Sequence, residues 1–356
     1  VTVSQPKTSK IIKEHAELRK ALRDTDTYSS DLQGDADVRD YRQIPLEIDP
    51  PRHHLYRSAL APYFVKPAIE KHLSAFRANS IALISRYFDS EPSEVIPNLC
   101  LPLVMQNLGV IYNRPQDVEE WISWGPDVWT AESEVRSGNA LHRYIDRTYE
   151  GAIAKESDDI WQEIAHLEIE GRQITEVEFR GIAGVLLAGG RDTVVKLLTG
   201  ILWHFARKLD DLQELRRNPQ GISAAIQEFL RFLTPLPLMN RTTVPESDKK
   251  ALPLDRYVGM SFISANFDPS VFKNPFSIDL KRPRNPHLSF GFGPHTCLGN
   301  HIAEIEAKVF LESLIESRFT WQILSEKTTF HEAPTDQVPD QFKSLQLIAI
   351  SNAREN

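Results

Sequence analysis

The segment from Thr175 to Lys208 constrains this fold more than any other stretch. Its apolar residues recur at helical spacing. It opens on Thr175-Glu176-Val177-Glu178, where a hydroxyl and the carboxylate three residues on can satisfy the first free amides. As one helix it is roughly 50 Å long at ~1.5 Å per residue, enough to form a central strut. Apolar periodicity at 9–23, 54–65, 67–88, 94–111, 138–152, 158–169, 210–217, 221–233 and 298–317 predicts that helix dominates the chain. Short β-like runs at 238–244, 257–264 and 345–351 add small sheets. No internal repeat or low-complexity linker divides the 356 residues, so one domain, 1–356, is expected.

Inside the long segment lies Ala188-Gly189-Gly190-Arg191-Asp192-Thr193. Paired glycines within a helix cost roughly 1 kcal/mol each relative to alanine, so something should offset them. With Thr193 three and four residues on, they place bare backbone and one hydroxyl on a common face, where a flat ligand can come close. Close helix packing, with Thr193 bonded back to a carbonyl, accounts for the segment equally well.

The second feature is Phe290-Gly291-Phe292-Gly293-Pro294-His295-Thr296-Cys297-Leu298-Gly299, directly before an amphipathic helix. A cysteine at a helix start meets free amides and the positive end of the helix dipole, which lower a thiol pKa toward the thiolate that metals bind. Gly293 and Gly299 let the backbone turn and approach a ligand. An inert buried cysteine is the alternative, and a zinc site from His287, His295, Cys297 and His301 is a weaker one, since no second thiolate is near. The third feature, Glu228-Phe229-Leu230-Arg231, puts an acid and a guanidinium on one helix face and by itself says little.

Composition removes several functions. A chain that is 41% hydrophobic and 25% charged belongs to a folded protein. Its net charge of -8 offers no footprint for nucleic acid. The two cysteines, Cys100 and Cys297, lie far apart, as suits a reducing cytoplasm rather than a disulfide scaffold. The longest apolar stretch, Ile182 to Gly190, falls short of the ~20 residues of a membrane span.

Taken in order, a glycine-threonine helix, Glu-x-x-Arg and Phe-x-x-Gly-x-His-x-Cys-x-Gly resemble the cytochrome P-450 family, bacterial soluble type. Asp49-Pro50-Pro51-Arg52-His53-His54-Leu55-Tyr56-Arg57 extends the likeness upstream. The resemblance implies a mainly α fold with small sheets and haem b held between the long helix and the cysteine loop. Cys297 would ligate the iron, with Gly189, Gly190, Phe290, Gly293 and Gly299 shaping the haem site, and His53, Arg57, Arg241 and His295 would hold the propionates. Glu228 and Arg231 would form a structural brace with Arg282 or Arg284, and Asp192 and Thr193 would deliver protons to dioxygen. Val185, Ala188, Leu236, Leu238 and Met239 would line the substrate pocket. The chain departs from the family pattern at Arg191, beside the acid, and at Glu304, where many members carry arginine. It begins near what looks like the family's first sheet, so some N-terminal residues are expected to be missing.

The implied activity is hydroxylation or another oxidation of a small to medium apolar compound, such as a terpenoid, alkyl or aromatic molecule. With no flavin or nicotinamide fingerprint, electrons would come from a ferredoxin-type donor and its reductase, docking on Arg57, Lys66, Lys281, Arg282 or Lys308. A peroxide-driven peroxygenase and a non-catalytic haem sensor are the alternatives.

Overall fold

The computed structural model describes residues 10–31, 41–125, 139–155, 158–243, 257–317 and 319–350; the expected segment ends at 9, 138, 244 and 351 lie outside them. In chain order the elements are β1 (Lys10–Ile12), α1 (His15–Ala21), β2 (Tyr28–Ser29), α2 (Arg52–Phe64), α3 (Lys66–Glu70), α4 (Leu73–Phe88), α5 (Leu101–Ile111), α6 (Val118–Ser123), α7 (Asn139–Ile153) and α8 (Ile160–Ala165). Then come β3 (Glu168–Ile169), β4 (Arg172–Gln173), α9 (Glu176–Gly189), α10 (Asp192–Arg207), α11 (Leu209–Arg217), α12 (Ile222–Leu233), β5 (Leu238–Thr243), β6 (Tyr257–Ser261), α13 (Phe262–Asn266), α14 (Asn300–Ser317), β7 (Thr320–Phe330) and β8 (Pro339–Ile350).

The capping box forms as expected: Thr175 Oγ1 accepts from Glu178 N at 3.2 Å, and Glu178 Oε2 accepts from Thr175 N at 2.7 Å. The single strut does not form. The segment breaks into α9 and α10 at Gly190 and Arg191, where Arg191 takes φ -105° and ψ -77°. The physical reason is the Arg191 side chain. It is buried and donates to the carbonyls of Trp121, at 3.0 Å, and Gly125, so the helix gives way where the chain is tied to the end of α6. Around the break, the Leu186 carbonyl accepts from the Tyr112 hydroxyl at 2.9 Å.

α10 presents Val194, Val195, Leu197, Leu198, Ile201, Leu202 and Phe205 to the main core, and each such burial is worth ~1.5–3 kcal/mol. α14, α4, α5 and α12 supply much of the rest of that core. A smaller apolar cluster, with Leu18, Leu22, Val258 and Met260, joins α1 to a four-stranded sheet. That sheet runs β1-β6-β5-β2, with β1 and β6 parallel and the other pairs antiparallel. Arg241 is thereby paired with Val258 on the neighbouring strand.

Several segments differ from their expected form. Residues 9–23 open as strand β1 before turning helical, 67–88 divides into α3 and α4 at Lys71 and His72, and 94–111 begins with a wider π-type turn over Ile96–Cys100. The 158–169 run ends in β3, and 257–264 divides into β6 and α13. β7 adds a strand that apolar alternation does not predict, because most of its side chains face solvent and only its first residues are firmly buried. No helix among the described residues is long and apolar enough to cross a membrane.

Candidate functional site

The cysteine loop is built from tight turns. Gly291 and Gly293 take φ +69° and +78°, in the left-handed region that side chains resist. Gly293 also has no room for a side chain, since a Cβ there would lie 2.7 Å from the Leu22 carbonyl. Cys297 N donates to Phe290 O at 2.8 Å, and Thr296 Oγ1 to Gly293 O at 2.8 Å, closing the loop just ahead of α14. Phe292 lies under two guanidinium groups of α1 and the turn after it, Arg19 at 4.2 Å and Arg23 at 4.5 Å from the ring centre.

The Cys297 thiol is solvent-accessible and yet surrounded by protein, the situation of a group facing an interior cleft rather than bulk water. The expected lowering of its pKa is not realised. Burial pushes the thiol up and outweighs the Gly299 amide, which bonds the sulfur, and the positive Arg57, both of which pull it down.

Four basic side chains gather beside this loop. His53, from α2, is buried, and neither ring nitrogen has a hydrogen-bond partner among the described residues. Its ring lies 4.1 Å from that of His295, whose Nε2 bonds Ser30 Oγ at 3.0 Å. Burial and the charges of Arg57 and His54 depress His53 to about 4; burial and the charges of His53, Arg241 and Arg57 depress His295 to about 2. Arg241 is buried and is held down to about 10 by desolvation, against only the partial relief of Asp49. It donates to the carbonyl of its own neighbour Asn240, at 3.0 Å. A buried guanidinium, Arg241, and a half-buried one, Arg57, set beside two uncharged imidazoles are unfavourable unless an anion binds among them. The donor set therefore suits a dianionic, planar cofactor whose metal would meet Cys297.

The break between α9 and α10 holds the remaining expected site residues. Gly189 is open: a Cβ there would meet nothing nearer than Val185, at 3.9 Å. Gly190 instead packs toward Leu108. Thr193 Oγ1 donates to Gly189 O at 3.3 Å, and Asp192 Oδ1 lies 3.3 Å from Arg191 Nε. Ala188 is buried, Val185 partly so, and Leu236 and Leu238 are exposed. Leu238 and Met239 are consecutive in β5 and so project from opposite faces; Met239 shares the face of Arg241.

Glu228 and Arg231 are wholly buried, at 0% exposure, and pair twice, at 2.8 and 2.9 Å. Arg282, not Arg284, completes the brace, bonding both Glu228 oxygens at 2.8 and 3.1 Å. Asp279 N and Asn285 Nδ2 add two donors, each at 2.9 Å. Burial works to raise the Glu228 pKa, but bonds from Arg231 and Arg282 overcome it and hold the carboxyl ionised. Arg282 is thus a core residue and not a docking residue, and Arg57 belongs to the cleft rather than to an outer face. Lys66, Lys281 and Lys308 are exposed, each beside an acid of its own chain.

The three histidines of the candidate zinc site have separate surroundings: His287 Nε2 bonds Gln227 Oε1 at 2.8 Å, His301 lies beside Glu304, and His295 faces Ser30 and His53. Glu304 itself accepts from Gln227 at 2.8 Å. Sequence reasoning missed Glu306, a buried acid in α14 with no hydrogen bond to either oxygen among the described residues. Burial, eased only slightly by nearby Asn107, raises it to about 8. A lone acid within the apolar stripe of Ile302, Ile305, Val309 and Phe310 was its signal.

Residues 156–343 match the family model described as cytochrome P450. A probable cytochrome P450 127A1 of Sinorhizobium fredii is 30% identical over 304 residues, 82% of this chain and 72% of that one. A steroid C26-monooxygenase of Mycobacterium tuberculosis is 28% identical over 76% of each. Among solved structures, one described as a carbohydrate active P450 superposes with a TM-score of 0.86 at 30% identity, over 95% of this chain and 91% of that one. Sequence and fold agree, and the chain belongs to the cytochrome P450 family of haem b-containing, oxygen-incorporating oxidoreductases.

Proposed function

We propose that the chain, as one catalytic domain, oxidises a small to medium organic substrate in the cleft between the Cys297 loop and the α9–α10 break. The carrying observation is the convergence of the Cys297 thiol with two guanidinium groups, Arg57 beside the sulfur and buried Arg241, and two unprotonated histidines. In this reading Cys297 is the metal ligand, and the Gly299 amide holds its sulfur in place. His53, Arg57, Arg241 and His295 orient the anionic edge of the cofactor. When bound, haem b supplies the redox centre at which dioxygen is reduced and cleaved.

The residues on the other side manage space and protons. Gly189 leaves room for a planar group and a small molecule above it. Thr193 and Asp192 hold a water that donates protons, with Arg191 fixing the Asp192 carboxylate. Val185, Leu236 and Met239 offer apolar surface to the reacting carbon, as suits a terpenoid, alkyl or aromatic group. Electrons come from a separate ferredoxin-type donor in the cytoplasm. Lys66 and Lys308 are its docking residues, joined by Arg19 and Arg23 beside the cysteine loop.

Two variants test this. Cys297→Ala should abolish the red-shifted Soret band of the reduced carbon monoxide complex; an unchanged band would remove Cys297 from the metal. Thr193→Ala should release peroxide in place of product, and full coupling of electrons to product would end the relay reading.

A further inference from the structure

We infer that Ser30 is a positioning residue for the cofactor: its hydroxyl fixes His295 as the tautomer that carries its hydrogen on Nδ1 and donates from there to the cofactor's anionic edge. The inference rests on the reading of His295 as one of the residues that orient that edge, and it names what orients His295.

Ser30 is itself held in place. It follows β2, whose Tyr28 and Ser29 pair with Thr243 and Thr242 of β5, the strand that carries Arg241. Asp49 fixes the chain as it leaves that strand: Oδ1 accepts from Ser30 N at 2.8 Å, and Oδ2 accepts from Ser29 Oγ. Ser29 Oγ in turn accepts from Asp31 N at 3.1 Å, and Thr242 Oγ1 donates to Asp31 O at 3.1 Å. The residues on both sides of Ser30 are therefore tied down, and Ser30 is buried between them. His295 is held as well. It ends the turn opened by Gly293, which Thr296 N closes by donating to Gly293 O at 3.1 Å, and its ring lies tilted at 46° to that of His53, 4.1 Å away.

The contact between the two side chains decides where the imidazole hydrogen sits. Ser30 Oγ and His295 Nε2 are 3.0 Å apart, and this is the only hydrogen bond of the Ser30 hydroxyl among the described residues. A hydroxyl has one hydrogen to give, and Nε2 is the acceptor within reach, so Nε2 keeps its lone pair and Nδ1 carries the N–H. The reverse arrangement would bury an O–H without an acceptor, which is unfavourable. Nδ1 has no hydrogen bond among the described residues and so remains a donor to offer. Without Ser30 the ring can carry its hydrogen on either nitrogen, and one of the two forms presents a lone pair where the other presents a donor. Arg57 and Arg241 supply charge at this place; Ser30 supplies direction.

The experiment uses the holoenzyme with isotope-labelled histidine, in its diamagnetic ferrous carbon monoxide form, for nitrogen NMR, and measures haem transfer to apomyoglobin alongside. We expect the His295 signals of the parent to show hydrogen on Nδ1 and none on Nε2; hydrogen on Nε2 overturns the proposal. Ser30→Ala should mix the two forms and speed haem transfer about three- to tenfold, with the thiolate band unchanged. An unaltered tautomer or an unaltered transfer rate overturns it. The His295→Ala background separates positioning from general support: there Ser30→Ala should add less than about twofold, whereas the full factor would show that Ser30 acts on the fold and not through His295. If His295→Ala alone left transfer unchanged, His295 would lose its place at the anionic edge and the proposal would fall with that reading. A missing thiolate band in the parent would instead sink Cys297 as the metal ligand, and the tautomer and the transfer cycle would still decide the role of Ser30.

Discussion

Two groups of buried charge in this molecule have opposite characters. Around Glu228 an acid meets two guanidinium groups, an amide N–H and an asparagine, and the guanidinium protons left over reach the carbonyls of Asn266, Pro275, Ser277 and Lys273. Around His295 two guanidinium groups, Arg57 and Arg241, stand beside uncharged imidazoles, and His53 has no partner for either nitrogen among the described residues. The first group is complete within the chain and serves folding. In the proposed reading, the second is completed by the bound cofactor. Burial is common to both, so satisfaction rather than depth separates a structural charge from a functional one.

Substitutions can break that contrast. Glu228→Ala should cost the most, about 3–5 kcal/mol, because it strands two buried guanidinium groups. Urea unfolding of the cofactor-free protein measures it, and a loss under about 1 kcal/mol would dissolve the distinction. Arg241→Ala should leave that cofactor-free stability unchanged or raised, since it removes like-charge crowding, but should speed transfer of haem to apomyoglobin about tenfold.

Glu306 sharpens the comparison, being a buried acid that Asn107 relieves only slightly. Its folded carboxyl keeps a proton up to about 8, whereas the unfolded one releases it near 4.5, so stability falls as pH rises between those values. Glu306→Gln should therefore be more stable than the parent by ~1–3 kcal/mol at about pH 8, with the gap closing below about pH 4.5. A variant of unchanged pH profile would show that the acid is ionised in the fold. The smallest effect is expected outside both groups. Lys308→Glu should slow reduction by a ferredoxin a fewfold at low salt and leave folding unchanged.

Much of this was legible in the sequence where the signal is local. The Thr175 cap, the turn glycines around Cys297 and the Glu228-Arg231 spacing all depend on residues within a few positions of each other. The α9–α10 break was not, since Arg191 acts through carbonyls about 70 residues upstream. The choice of Arg282 over Arg284 likewise depends on which side chain points at Glu228 across 54 residues.

The brace has one further consequence, for the order in which the molecule assembles. Every partner of Glu228 lies between Arg231 and Asn285, so the unit can close within a short stretch of chain as soon as that stretch exists. The histidine cluster cannot begin until residue 53 meets residue 295, across most of the chain. Closing the brace therefore costs less loop entropy than bringing the histidine cluster together.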